Sequence, residues 1–270
     1  MSISKKLSHL IPKGQEVHLW KISLPLAPNP ESSFYYSQIL SNEEMKYGAS
    51  CLTDRKREFL VSRCALRILL SDYFPFISPQ EWRFAENDFG KPSVSGPIEI
   101  FPLQFNLSHS LDRAVIAFSS AQLLGIDIEQ FKGKNSLQAI AAAHFSHLEY
   151  EIFEQAMSRS SLSDANFLFF EYWTLKEALI KAIGKGLSIP LDQFSMIIPS
   201  IQDQESGIEI KVKFENSLAP EAGFWKFSLI GSETHYRIAV AIRNDEDFPI
   251  QIKEVIFDNW GFNAIREKAS

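Results

Sequence analysis

Apolar residues along this chain recur at two spacings. Within KREFLVSRCALRILLSDYF, Phe59, Leu66, Leu69 and Leu70 fall on one helical face, which predicts a long helix. A second long helix is predicted over ANFLFFEYWTLKEALIKAIG, where Leu168, Tyr172, Leu175, Leu179 and Ala182 form a core stripe. Trp173, Glu177, Ile180, Lys181 and Gly184 line another side of it, and Gly184 and Gly186 fit an end that needs left-handed backbone. SNEEMKYGA opens with Ser41 as N-cap and Glu44 three residues on, a capping-box pattern, and FSHLEYEIFEQAM also reads as helical. Strand-like runs are VHLWKISL, FNLSHSLDRAVIAFSS, LLGIDIEQ, LDQFSMIIP, IEIKVKFE, WKFSLIG and HYRIAVAIR, and FGKPSV reads as a turn.

The order of these elements repeats. SNEEMK at 41 is echoed by SHLEYE at 146, RCALRILL at 63 by KEALIKAI at 176, and RAVIAF at 113 by RIAVAI at 237. Three echoes in one order point to a diverged duplication. The expected fold class is α+β: two similar subdomains, 1–122 and 123–270, each with a long helix packed on a small, mainly antiparallel sheet. A cleft between the copies is the expected ligand site, and the plan suggests a monomer.

Composition narrows the function. At 270 residues the chain is one large domain or two small ones sharing a core, and 22 phenylalanines supply bulky core material. A net charge of −6 argues against general nucleic-acid binding, yet leaves room for a local basic patch in a pocket. Two cysteines, Cys51 and Cys64, are too few for a disulfide framework. With no signal peptide and no run long enough to span a membrane, the chain reads as cytoplasmic.

Three clusters could carry chemistry. If LLGIDIEQ is a strand, Ile126 and Ile128 point inward while Asp127 and Glu129 share the other face. Adjacent carboxylates suit a hard divalent cation; a solvated strand edge is the alternative. On the second long helix Glu177 and Lys181 are either functional or a simple i, i+4 ion pair. In FNLSHS, small hydroxyls, His109 and backbone N–H groups form a phosphate-binding set or a polar turn. There is no nucleophile elbow, Walker loop, Rossmann glycine fingerprint or paired CxxC knuckle.

Taken together and in order, FGKP, FNLSHS, GIDIE and WTLKEALIKAIGKGL resemble the surfactin-synthetase-type 4′-phosphopantetheinyl transferases, closely over roughly 85–200. The resemblance implies that family's pseudo-duplicated α+β fold and a Mg²⁺-dependent holo-[acyl-carrier-protein] synthase. Such an enzyme moves the 4′-phosphopantetheine arm of coenzyme A to a serine of an apo acyl or peptidyl carrier protein and releases adenosine 3′,5′-bisphosphate. Carried over by position, Asp127, Glu129 and Glu177 would hold Mg²⁺. Lys181 would contact the diphosphate, and Glu177 would also take the serine proton. Ser108 and His109 would bind phosphates, with His109 on the 3′-phosphate side. Gly90, Lys91 and Pro92 would border the adenine, Lys91 adding positive charge, and Trp173 would pack at the base of the site. Arg55, Lys56, Arg57 and Arg63 are candidates for gripping the 3′-phosphate, with a solvated helix face as the alternative for Arg63 and Arg67. The carrier protein would dock near 184–205. A coenzyme A-binding regulator or scaffold that has lost catalysis is the competing reading.

Overall fold

A computed structural model describes residues 11–14, 16–24, 32–98, 103–131, 137–159, 161–199, 209–215, 224–231 and 235–257. In chain order the elements begin with β1 (Glu16–Ser23), α1 (Ser32–Ile39), α2 (Asn42–Ser50), α3 (Thr53–Tyr73), β2 (Arg83–Glu86) and β3 (Pro92–Gly96). Next come β4 (Gln104–Ser110), β5 (Arg113–Ser119), β6 (Leu123–Gln130), α4 (Leu137–His144), α5 (His147–Arg159) and α6 (Leu162–Ile183). The chain continues through β7 (Phe194–Ile197), β8 (Lys211–Phe214), β9 (Phe224–Gly231), β10 (Tyr236–Asn244) and β11 (Gln251–Phe257). This is the expected α+β class. Two long helices and every strand of the two main sheets except β11 lie where the apolar pattern put them. Sequence reading missed α1, α4, the β2–β3 hairpin and β11.

Two main sheets carry the fold. One has strand order β11-β1-β5-β4 and the other β6-β10-β9, while β2–β3 and β7–β8 are separate two-stranded sheets. Alternation along each strand divides the core. On β5, Ala114, Ile116 and Phe118 join Leu66, Leu69 and Leu70 of α3, while Val115 and Ala117 turn to the other face. There they meet Leu124, Ile126 and Ile128 of β6 and Ile238, Val240 and Ile242 of β10. Ala239 and Ala241 of β10 face α6 instead. The layers therefore run α3, first sheet, second sheet, α6, with three hydrophobic cores between them. The β11 strand, from the C-terminal span, pairs in parallel with β1 and belongs to the first sheet.

One glycine sets how closely α6 lies on the second sheet. A Cβ at Gly125 would come within 2.0 Å of the Ala178 carbonyl oxygen and 2.4 Å of the Ala182 nitrogen. Only a residue without a side chain lets the helix backbone approach β6 this closely. That approach brings the α6 side chains over Asp127, two residues further along β6. α6 itself starts with a Ser161–Asp164 capping box and ends at Gly184, in the left-handed region at φ 78°.

Candidate active site

The site lies where two sheet edges meet. β4 ends the first sheet and β6 ends the second, and they are not hydrogen-bonded as sheet neighbours. Side chains of β4 bridge the gap instead. Asn106 Oδ1 accepts from the Ile126 N–H at 2.8 Å, and Ser108 Oγ donates to Asp127 Oδ1 at 2.8 Å. Ser110 Oγ donates to Glu129 Oε2 at 3.3 Å and accepts from the Gln130 N–H at 3.2 Å. The polar alternation of FNLSHS is thus a row of rungs between the two sheets. It is a strand, and its hydroxyls hold the acidic strand in place.

Asp127 and Glu129 sit on the face of β6 opposite Ile126 and Ile128, as strand periodicity requires. Asp127 is 4% exposed. Lys181 Nζ donates to Asp127 Oδ1 at 2.6 Å and to Ser108 Oγ at 2.9 Å. The i, i+4 spacing of Glu177 and Lys181 is therefore not spent on a mutual ion pair: Lys181 reaches across to β6. The second carboxylate oxygen, Asp127 Oδ2, is buried without a hydrogen-bond partner. Burial pushes the Glu177 carboxyl up to about 7, and the neighbouring Asp127 and Glu129 charges push the same way. Glu177 thus shares one electrostatic environment with both β6 carboxylates.

Hard oxygen donors, one of them an orphaned buried carboxylate oxygen, suit Mg²⁺ in chemistry. In geometry, no three His, Cys, Asp or Glu side chains among the described residues are gathered at metal-binding spacing. The Lys181 ammonium is the cation in contact with Asp127 here.

The other expected site residues divide. Lys91 Nζ donates to the Ala182 carbonyl at 2.8 Å and the Leu124 carbonyl at 3.1 Å, while Asn87 Nδ2 donates to the Gly184 carbonyl at 2.7 Å. The FGKP turn therefore caps the end of α6 and ties it to β6, and burial lowers the Lys91 ammonium to about 8. Pro92 begins β3 beside it. His109 leaves the rung row and faces α3, with Nδ1 3.6 Å from Glu58 Oε2. Arg57 Nη2 donates to the Leu111 carbonyl at 3.2 Å, in the β4–β5 turn. Arg63 pairs with Glu44 at 3.5 Å and lies over the Phe84 ring at 4.7 Å. It is a half-buried, paired cation rather than part of a solvated helix face. Trp173 stacks on Phe169 and meets His144 edge-on, so it braces α6 against α4. Of the expected carrier surface, 184–199 is described, with Leu187 72% exposed, and 200–205 lies outside the described residues.

Sequence reasoning gave no role to Lys176, which is fully buried on Glu149. It also missed Glu58 and Asn87. The SHLEYE echo of a capping box was the available signal for Glu149.

Comparison with known proteins gives the same answer. The profile of the 4′-phosphopantetheinyl transferase superfamily matches residues 123–241, from β6 through α6 to β10. The 4′-phosphopantetheinyl transferase HetI of Nostoc sp. (strain PCC 7120) is 32% identical over 177 residues, 65% of this chain and 71% of that protein. The 4′-phosphopantetheinyl transferase Sfp of Bacillus subtilis (strain 168) is 35% identical over 188 residues, 65% of this chain and 79% of that protein. The profile covers the acidic strand and the lysine-bearing helix, and both relatives are matched over more than two thirds of their length, so this chain belongs to the 4′-phosphopantetheinyl transferase superfamily.

Proposed function

We propose that this protein transfers the 4′-phosphopantetheine moiety of coenzyme A to a serine hydroxyl of an apo acyl or peptidyl carrier protein. The observation that carries this is the meeting of Ser108, Asp127 and Lys181 on three separate elements, beside a Glu177 carboxyl raised to about 7. The serine oxygen forms a bond to the phosphorus that bears the pantetheine arm. The bond from that phosphorus to the bridging oxygen breaks, and adenosine 3′,5′-bisphosphate leaves. Glu177 takes the serine proton, as a carboxylate placed beside Asp127 and Glu129. Lys181 offsets charge on the diphosphate, and the Ser108 hydroxyl keeps Asp127 oriented. Asp127, Glu129 and Glu177 would hold Mg²⁺, which supplies Lewis-acid polarisation of the diphosphate when bound. Lys91 acts by fixing α6 to β6, with Pro92 at the adenosine side. Arg57, Arg63 and His109 border the region for the remaining phosphate. The reaction takes place between the halves 1–122 and 123–270 of a monomer, with the carrier protein seated near 184–205. Among the described residues no helix is long and apolar enough to cross a membrane.

The test is mass spectrometry of a panel of apo carrier proteins incubated with the protein, coenzyme A and Mg²⁺. At least one carrier should gain the mass of the phosphopantetheine arm, and Asp127→Ala should abolish the gain while circular dichroism is unchanged. Carriers left unmodified by a protein that still binds coenzyme A would put the regulator reading in its place.

A further inference from the structure

A cavity of mixed polar and apolar lining lies between α3 and β4. α3 presents Arg55, Glu58, Ser62 and Arg63 to a space of 420 Å³, walled on the other side by Leu107 and His109 of β4. Two groups on its lining are buried without a hydrogen-bond partner, Ser62 Oγ and Arg63 Nη1, and Ser62 is only 4% exposed. Arg63 uses its Nε on Glu44 and its guanidinium face on Phe84, so the unspent nitrogen is turned to neither. A buried donor without a partner is destabilising. An acceptor-rich ligand would recover that cost. His109 follows Ser108 on β4, so the cavity lies one residue along that strand from the acidic site. Beyond its diphosphate, coenzyme A carries a single anionic group, the ribose 3′-phosphate, to meet such donors.

Yet a carboxylate stands among them. Glu58 Oε2 lies 3.6 Å from His109 Nδ1, with the glutamate side chain 21% exposed. It neutralises the imidazole when that is protonated and opposes a phosphate dianion by like charge. Two further positive charges line the cavity, Arg55 and Arg63, but Arg55 reaches Tyr47 Oη at 3.5 Å and Arg63 is partly offset by Glu44. The local balance is thus close enough to neutral for one carboxylate to decide how strongly a dianion is held.

We propose, resting on the transferase reading above, that Glu58 is a specificity-determining residue that weakens the grip on the 3′-phosphate. Two consequences follow. Dephospho-coenzyme A, which lacks that phosphate, binds with little penalty. Adenosine 3′,5′-bisphosphate, which carries it, is released readily after transfer.

The test is calorimetric binding of coenzyme A and of dephospho-coenzyme A to the full chain and to Glu58→Gln. These ligands differ in the 3′-phosphate alone, so a general loss of structure would move both. Glu58→Gln should tighten coenzyme A about tenfold and leave dephospho-coenzyme A unchanged, the effect of removing one like charge beside the phosphate. An unchanged ratio between the two ligands overturns the proposal. A lower ratio also overturns it, since Glu58 would then be serving His109 as a phosphate donor. Should Glu58→Gln fail the circular dichroism check, Glu58→Ala is measured in the same way. If the native chain binds coenzyme A but the ratio does not move, only the Glu58 proposal falls. If it binds neither ligand, the transferase reading falls with it.

Discussion

The two halves build the same corner and use it differently. In the first, Ser41 and Glu44 form a capping box at the start of α2, and Glu44 accepts from Arg67 Nε at 2.8 Å. In the second, Ser146 and Glu149 exchange the same two bonds, at 2.8 and 3.3 Å, and Glu149 pairs with Lys176 at 2.7 Å. In both cases the cation comes from the long helix that follows and then binds main chain beyond that helix. Arg67 donates to the Pro79 carbonyl, and Lys176 to the carbonyls of Leu191 and Phe194. Aligning RCALRILL with KEALIKAI places Ala65 with Ala178 and Leu66 with Leu179, all fully buried. The same alignment sets Cys64 against Glu177 and Ile68 against Lys181. Cys64 is fully buried and Ile68 packs on the same small cluster. One long helix closes that face with apolar packing, and the other turns it into a reactive site.

The sharpest way to break the comparison is to make α6 as inert as α3 at the one position. Glu177→Gln should lower the transfer rate by about 10²–10⁴-fold, the range for loss of a general base. Quenched-time mass analysis of a carrier protein would read this. The same substitution has a signature in stability. The folded-state pKa of Glu177 is about 7, above its ordinary 4.5, so the folded protein holds that proton more tightly than the unfolded chain. Stability of the chelator-treated protein should therefore fall as pH rises from about 4.5 to about 7 and level off above that. Glu177→Gln should remove this fall; urea titrations across the range would show it. A slope unchanged by the substitution would mean that Glu177 is ionised at its ordinary pKa.

Next in size is the cation of each corner. Lys176 and Glu149 are both 0% exposed, and burial raises the Glu149 carboxyl and lowers the Lys176 ammonium. Lys176→Ala leaves a buried carboxylate unpaired and should cost about 3–5 kcal/mol in denaturant unfolding. The pair replaced together, Glu149→Leu with Lys176→Met, should recover most of that loss, because two desolvated charges contribute little net stability. Arg67→Ala should cost less, since Glu44 is 14% exposed and keeps Arg63 as a second partner. Equal costs in the two halves would show that the second arginine does not substitute for the first.

Much of this was legible in sequence because it is local. Capping boxes, the left-handed end of α6 and the alternation of LLGIDIEQ depend on residues a few positions apart. What was not legible depends on tertiary contact. Lys91 resembles a ligand lysine in sequence, but its ammonium is held by carbonyls of Leu124 and Ala182, one of them 91 residues away. β11 has exposed Val255 and Ile256 and no clean alternation, so only its pairing with β1 defines it. Glu58 is an unremarkable helix charge until β4 brings His109 opposite it. The short hydroxyls of FNLSHS read as ligand contacts, whereas their service as rungs to β6 needed both sheet edges in view.

The smallest effect separates the corners most finely, because the two caps are alike in local chemistry and differ in what surrounds them. Ser41 is half-buried, and its hydroxyl accepts from the Glu44 N–H at 3.2 Å. Ser146 is 4% exposed and also accepts from Ser195 Oγ at 2.8 Å, itself 4% exposed. Ser41→Ala removes one cap bond and should cost about 1 kcal/mol. Ser146→Ala removes the cap and leaves the buried Ser195 hydroxyl without its acceptor, which should bring the cost to about 2 kcal/mol. Adding Ser195→Ala to Ser146→Ala should return part of that excess, since both polar partners are then gone. Urea unfolding of the three variants reads the difference directly. Equal costs for the two single serine changes would mean that the Ser146–Ser195 bond adds nothing beyond the cap, and that the second corner differs from the first only in its cation.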